Sequence, residues 1–244
     1  MRLLSSFLAL LHTVLSRLLL LLIMVVFCIP TILFLLLPDK IRYHNRLCNQ
    51  MQYAFYWLLL KGTLLPIRVR GAENIPTTPA VLVANHQSSL DIPLVGSLLY
   101  AAPHVWLATN ELMVSPILRF ILPRTTVLVD VSSPIAGMRT LLKAMDMIQE
   151  QKLYTVLFPE GGRFSDGKIH DFFGGFVILA KKTGQPVVPI YLEGIGKVYP
   201  KGVFLLRWHP IDVVVGAPMM QEADESNEAF SQRVRAWFCH QQED

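Results

Sequence analysis

Cysteine is scarce in this chain, and Cys28, Cys48 and Cys239 lie far apart. An odd number without ligand spacing excludes a disulfide framework and fits a reducing compartment. The seven histidines form no H-E-x-x-H and sit beside no cysteine at ligand spacing, so no metal or other cofactor is expected. G-x-S-x-G is missing, which removes serine hydrolases built on a nucleophile elbow. The run GRFSDGKI at 162–169 lacks the Ser or Thr that a phosphate-binding loop needs after Lys168. No Gly/Ser linker, low-complexity stretch or internal repeat divides the 244 residues. Charge is sparse too: 22 basic and 18 acidic residues leave +4, with no dense basic stripe, so no nucleic-acid partner is expected.

Apolar residues are abundant, at 52% of the chain, and they concentrate at the N-terminus. From Met1 to Arg17, Ser5, Ala9, His12 and Ser16 recur every three or four residues among Leu, Phe and Val, the pattern of an amphipathic helix. Leu18 to Leu37 follows without a charge, and its roughly 20 residues at 1.5 Å each match a hydrocarbon core of roughly 30 Å. A secretory signal peptide is the competing reading, but the run is too long and no small-x-small cleavage site follows. Pro30 removes a backbone donor and favours a kink, so a one-leaflet helix-break-helix hairpin stands beside a full transmembrane helix. Lys40, Arg42 and Arg46 outnumber Arg2 and Arg17, which places the following residues on the cytoplasmic face of a membrane. Ile41 to Lys61 continues at helical spacing, with Tyr53, Tyr56 and Trp57 grouped as in a headgroup layer, although a helix packed on a domain would carry the same pattern. Residues 1–61 are therefore expected to be membrane-anchoring and interfacial helices, and 62–244 a separate domain.

Beyond Gly62 the pattern changes to short apolar runs alternating with helical stretches. Strands are expected at Leu65–Arg70, Val81–Ala84, Val105–Thr109, Thr126–Asp130, Tyr154–Phe158 and Val187–Leu192, with helices at Ile92–Leu99, Ser115–Leu122, Pro134–Glu150 and Phe173–Thr183. Val203–Trp208 and Ile211–Val215 read as an antiparallel pair, and Phe230, Val234, Trp237 and Phe238 stripe a C-terminal helix. Strands separated by helices define an α/β fold, a mostly parallel sheet flanked by helices and preceded by the N-terminal anchor.

Two stretches carry chemistry. VLVANHQSSLD at 81–91 ends a buried strand in Asn85-His86, with Asp91 five positions later. A carboxylate on one imidazole nitrogen fixes the tautomer and leaves the other free to accept a proton. On a continuous helix residues five apart diverge by roughly 140°, so the pair requires a turn, for which Ser88, Ser89 and Pro93 are suited. FPEGGRF at 158–164 places Glu160, Gly161 and Arg163 on a Pro/Gly-shaped turn after another strand. The guanidinium fork suits a phosphate or carboxylate, the glutamate can accept from a hydroxyl, and the glycines allow close approach of a ligand. Ligands of such sheets bind beyond the carboxyl ends of the strands, where both motifs fall.

Together the two blocks resemble the glycerolipid acyltransferases of the 1-acylglycerol-3-phosphate acyltransferase type. Asn85, His86 and Asp91 match the family's N-H-x4-D, and FPEGGRF matches its F-P-E-G-T-R-S except at Gly162 and Phe164; QPVVPIYLEG matches a later strand loosely, and the likeness covers roughly Leu65 to Pro218. The resemblance implies that His86 is a base oriented by Asp91, that Glu160, Gly161 and Arg163 bind the acceptor, and that no cofactor is needed. The implied partners are a lysolipid acceptor, most simply 1-acylglycerol-3-phosphate, an acyl-CoA or acyl carrier protein thioester, and the lipid bilayer. Two cationic positions of the family are missing: Asp130 precedes Val131 rather than Arg, and Thr109-Asn110 precedes Glu111-Leu112 where lysines are common. A lysophospholipid with a capped head group or a lyso-aminolipid is therefore a rival acceptor, unless Arg124, Arg139 or Lys143 compensates. A catalytically inactive membrane scaffold is the alternative of a different class.

Overall fold

A computed structural model of the chain describes residues 2–130, 132–164, 166–198 and 206–243. The first element is one helix, α1 (Arg2–Leu35), followed by the short α2 (Asp39–His44) and α3 (Arg46–Gly62). Pro30 does not break α1. One missing N–H in a 34-residue helix costs a single rung, which the helix absorbs.

The polar stripe of α1 faces protein rather than water. His12 Nε2 lies 2.9 Å from the Thr63 carbonyl, Ser16 Oγ donates to the same oxygen at 3.0 Å, and Thr13 Oγ1 accepts from the Leu206 N–H at 3.1 Å. The leucine-rich faces, including Leu18, Leu21, Val25, Ile29 and Leu33, are left exposed. Further along, Phe27 meets Phe55 at 5.3 Å between ring centroids, and Arg42 caps the end of α1 by donating to the carbonyls of Leu35 and Leu37. Arg42 is buried in that cap and paired with Asp39, so the second flank presents fewer free charges than its composition promised. Helices α1 and α3 thus form an antiparallel hairpin whose connector is α2. The turn lies at 36–45, and not at Pro30.

Among the described residues seven strands form one sheet, in the order β1-β7-β6-β2-β5-β3-β4. They are β1 (Ile67–Arg70), β2 (Val81–Ala84), β3 (His104–Thr109), β4 (Thr126–Val129), β5 (Tyr154–Leu157), β6 (Val187–Glu193) and β7 (Ile211–Val215). Among the described strands only β6 and β7 pair antiparallel, so β1 and β7 run opposite to the other five. The antiparallel partner of β7 is therefore β6. Half of the expected strand at 203–208, residues 203–205, lies outside the described residues, and 206–208 is not strand.

Central strands are apolar throughout because both faces are covered. On one face Val81 and Val83 pack under α6 (Pro134–Gln151), α7 (Gly175–Thr183) and α9 (Asn227–Glu243), through Met145, Ile148, Phe176, Val234 and Phe238. On the other, Leu82 and Ala84 meet α3, α4 (Asp91–Ser97) and α8 (Ile195–Val198). Each such buried side chain contributes about 1.5–3 kcal/mol. The remaining helix, α5 (Pro116–Thr125), links β3 to β4 and touches α1.

Tyr56 joins α3 to this body. Grouped by sequence with headgroup-layer aromatics, it is instead buried, accepts from Trp106 Nε1 at 3.1 Å and from Gln52 Nε2 at 2.8 Å, and lies over Gly96 of α4. A Cβ at Gly96 would fall inside contact distance of that ring. Gly96→Val is expected to cost about 1–3 kcal/mol by overpacking, read as a lowered Tm in thermal melts of detergent-solubilised protein; an unchanged Tm would show that α3 and α4 can separate freely.

Candidate active site

Strand β2 ends at Ala84, and the Asn85 side chain continues its pairing with β6: Nδ2 donates to the Leu192 carbonyl at 3.0 Å, and Oδ1 accepts from the Leu192 N–H at 2.7 Å. The backbone can then leave the sheet, and His86 is the first residue beyond it. Asp91 opens α4, and its Oδ2 accepts from His86 Nδ1 at 2.7 Å, from Gln87 N at 2.6 Å and from Ser88 N at 2.8 Å. The turn required by the five-residue spacing is thus folded around this oxygen. A carboxylate accepting from Nδ1–H leaves Nε2 with a lone pair, and the dyad is buried, His86 at 9% exposure and Asp91 at 0%.

The second motif meets the first directly. Arg163 Nε donates to His86 Nε2 at 3.2 Å, and a terminal nitrogen of the same guanidinium donates to Ser89 Oγ at 3.1 Å. Both backbone groups of His86 are tied to this turn as well: its N–H donates to the Glu160 carboxyl, and its carbonyl accepts from Phe164 N at 2.9 Å. His86, Asp91, Glu160 and Arg163 therefore converge. Gly161 is present at the turn with φ +68°, and a Cβ there would come within 2.6 Å of the Phe173 ring. Its N–H bonds Phe158 O at 3.2 Å, so this glycine shapes the turn.

Burial drives the Glu160 carboxyl up to about 8, assisted by the charges of Asp166 and Asp91 and opposed by the His86 N–H and Arg235. Its Oε1 is buried with no partner. A neutral carboxyl can donate as well as accept, which suits it to a hydroxyl or phosphate oxygen.

Four contributors were given no part in holding the site in the sequence reading, although Ser89 was named there as a turn residue and Asn85 as part of the first block. Phe158 stacks on the His86 ring at 3.9 Å and 7°, and Trp106 backs Phe158 at 5.7 Å, so the imidazole plane is set by an aromatic column ending in Tyr56. Ser89 holds Arg163, and Asn85 clamps the strand end. Phe158 was visible as the residue opening the second motif, but its face-to-face contact with His86 is a tertiary fact. The departures at 162 and 164 go together: a Cβ at Gly162 would sit 3.3 Å from the Phe164 ring, itself stacked on His170 at 3.7 Å.

Where cations were missing, Asn110 Nδ2 donates to Asp130 Oδ1 at 3.1 Å, and the Ser132 N–H holds the Asp130 carboxyl below its ordinary range; Val131 lies outside the described residues. Arg124 does not compensate, since it folds back over Phe120 of its own helix, and Arg139 and Lys143 are exposed on α6. Among the described residues no group of three His, Cys, Asp or Glu side chains could hold a metal.

A histidine–carboxylate dyad at the carboxyl ends of a mostly parallel sheet, facing an arginine, is an arrangement able to take a proton from a hydroxyl. The family model described as Acyltransferase matches residues 66–193, and the chain belongs to that family. A 1-acyl-sn-glycerol-3-phosphate acyltransferase of Pseudomonas aeruginosa is 29% identical over 83% of this chain and 78% of its own length. One from Limnanthes douglasii is 33% identical over 61% of this chain and 53% of its own. The fold matches the crystal structure of the 1-acyl-sn-glycerophosphate (LPA) acyltransferase PlsC from Thermotoga maritima, with a TM-score of 0.76, 23% identity, and 98% and 97% of the two chains covered.

Two outcomes follow from this geometry. In the folded chain Glu160 keeps its proton between about 4.5 and 8 while the unfolded chain loses it, so the native state binds more protons and stability falls as pH rises through that window. Glu160→Gln is expected to remove that fall, measured as Tm against pH for both proteins; superimposable profiles would mean the carboxyl ionises normally. Phe158→Leu is expected to lower kcat on the order of 10- to 100-fold by releasing the imidazole plane, while Phe158→Tyr retains turnover; equal kcat for Leu and Phe would remove the ring's positioning role.

Proposed function

We propose that the chain transfers an acyl group from an acyl-CoA or acyl carrier protein thioester to the free hydroxyl of a lysophospholipid, with 1-acylglycerol-3-phosphate as the leading acceptor. The observation that carries this reading is Arg163 at 3.2 Å from the proton-accepting nitrogen of His86: a cation for a phosphate beside a base for a hydroxyl. The names of the relatives support the same substrate class.

In the proposed reaction the bound head group draws the Arg163 Nε–H away from His86 Nε2, and that nitrogen then takes the hydroxyl proton as the oxygen attacks the thioester carbonyl. The tetrahedral intermediate collapses by breaking the C–S bond, and the imidazolium returns the proton to the departing thiolate. A thiol of pKa about 8.5 leaves readily, so the step needs no enzyme nucleophile, metal or prosthetic group. Asp91 holds the tautomer and stabilises the imidazolium, and Glu160 and Arg163 hold the head group. Positioned base catalysis contributes on the order of 10²–10⁴-fold, the rest coming from orientation and electrostatics.

The reaction is placed at a membrane, with the catalytic domain on the cytoplasmic face. Phe7–Leu35 is long and apolar enough to cross a bilayer by length and composition, and almost none of it is buried. At about 50 Å its helix exceeds a hydrocarbon core of about 30 Å. From His12 onward it also lies against α3, which itself packs on α4. A perpendicular crossing would draw the α/β body into lipid, so α1 is proposed to lie along one leaflet.

One observation favours a second acceptor class. The bonded Asn110–Asp130 pair occupies the region where the family resemblance led to the expectation of cations, which suits a capped head group better than a phosphomonoester.

Acyl-CoA consumption in detergent, measured against a panel of lysolipids, tests both readings. His86→Ala is expected to lower turnover by 10²-fold or more while membrane association persists. Wild type inert with every lysolipid and with both donors would sink the enzyme reading, and acylation of capped lysolipids alone would exchange the acceptor.

A further inference from the structure

Helix α6 is apolar on two faces. Leu141, Ala144, Met145 and Ile148 point into the core, whereas Ile135, Met138 and Leu142, at i, i+3 and i+7, point out, with Ile135 75% exposed. A helix on a solvated domain carries polar residues on its outer face. The neighbouring connection repeats the anomaly: Val114 and Ile117, between β3 and the first turn of α5, are 78% and 70% exposed. The Asn110–Asp130 hydrogen bond ties these two connections side by side beyond the carboxyl ends of β3 and β4, on the same edge of the sheet from which His86 leaves β2 and Glu160 leaves β5. Arg119, Arg139 and Lys143 are interspersed among the apolar side chains, outnumbering the Asp146 carboxylate on the same face of α6.

We propose that the outer faces of α5 and α6 form a second lipid-contacting surface, which seats the mouth of the site on an anionic leaflet. Three features commit the patch to lipid. It continues from α1, which touches α5 and exposes leucine over its length. Its cations complement anionic head groups while its aliphatic side chains reach the acyl boundary, the composition of an interfacial helix. It also lies at the carboxyl end of the parallel strands, the end that carries the dyad, so an acceptor can present its hydroxyl without leaving the leaflet. This surface rests on the acyl-transfer reading above, and the experiment separates the two.

The full chain is assayed with a long-chain lysolipid in phosphatidylglycerol/phosphatidylcholine vesicles and with a short-chain lysolipid below its micellar concentration. Because α1 retains the protein on vesicles, the double variant Ile135→Glu/Met138→Glu is expected to raise KM for the embedded acceptor about tenfold, with kcat and turnover of the monomeric acceptor unchanged. Wild type inert on both substrates would overturn the enzyme reading; wild type active on both, with the variant indistinguishable, would overturn the surface. In case the double variant fails to fold, Ile135→Trp provides a second readout: its added emission should shift blue and be quenched by brominated lipids. Absence of quenching, or a change in oligomeric state without any change in KM on vesicles, overturns the proposal.

Discussion

The single oxygen Asp91 Oδ2 organises the site. Three donors converge on it, one from the imidazole and two from the backbone of the turn, so the same contact that orients His86 also folds the loop that carries it. A carboxylate at the first turn of a helix is further favoured by the helix dipole. Orientation of the proposed base is thus inseparable from the local fold; all three donors fall on Oδ2, while Oδ1 is buried without a partner.

From that point the structure reads outward through the aromatic column. His86 rests on Phe158, Phe158 on Trp106, and Trp106 donates to Tyr56 of α3, the helix on which α1 lies. One continuous set of packed rings therefore connects the apolar N-terminal hairpin to the imidazole. The hairpin and the α/β body share a core through Tyr56 and Leu60, so the apolar N-terminal helices are part of the fold that supports the dyad.

Alternation of short apolar runs with helical stretches made most strands and helices legible, since buried central strands such as VLVA and YTVL have little freedom to be anything else. The convergence of His86, Asp91, Glu160 and Arg163 was legible only as an expectation from strand ends. What escaped was direction and orientation. Nothing in IRVR or IDVVV tells which way a strand runs, and β1 and β7 run against the rest. Periodicity found the polar stripe of α1 but not what it faces, because serine and histidine at helical spacing serve a carbonyl as well as water. Charge counting credited Arg42 to a membrane flank, whereas tertiary structure spends it on the end of a helix. Phe158 could be seen in its motif, but ring-on-ring contact with a histidine 72 positions earlier could not.

The Asn85 clamp has a chemical corollary. A carboxamide presents a donor and an acceptor in one plane, and this one uses both to imitate a rung of the ladder against Leu192. An aspartate in its place would leave a carboxylate with no donor, setting oxygen against oxygen beside the Leu192 carbonyl in a pocket that water does not reach. Exchange of a single nitrogen for oxygen would thus unpair the end of the strand at the residue next to the imidazole.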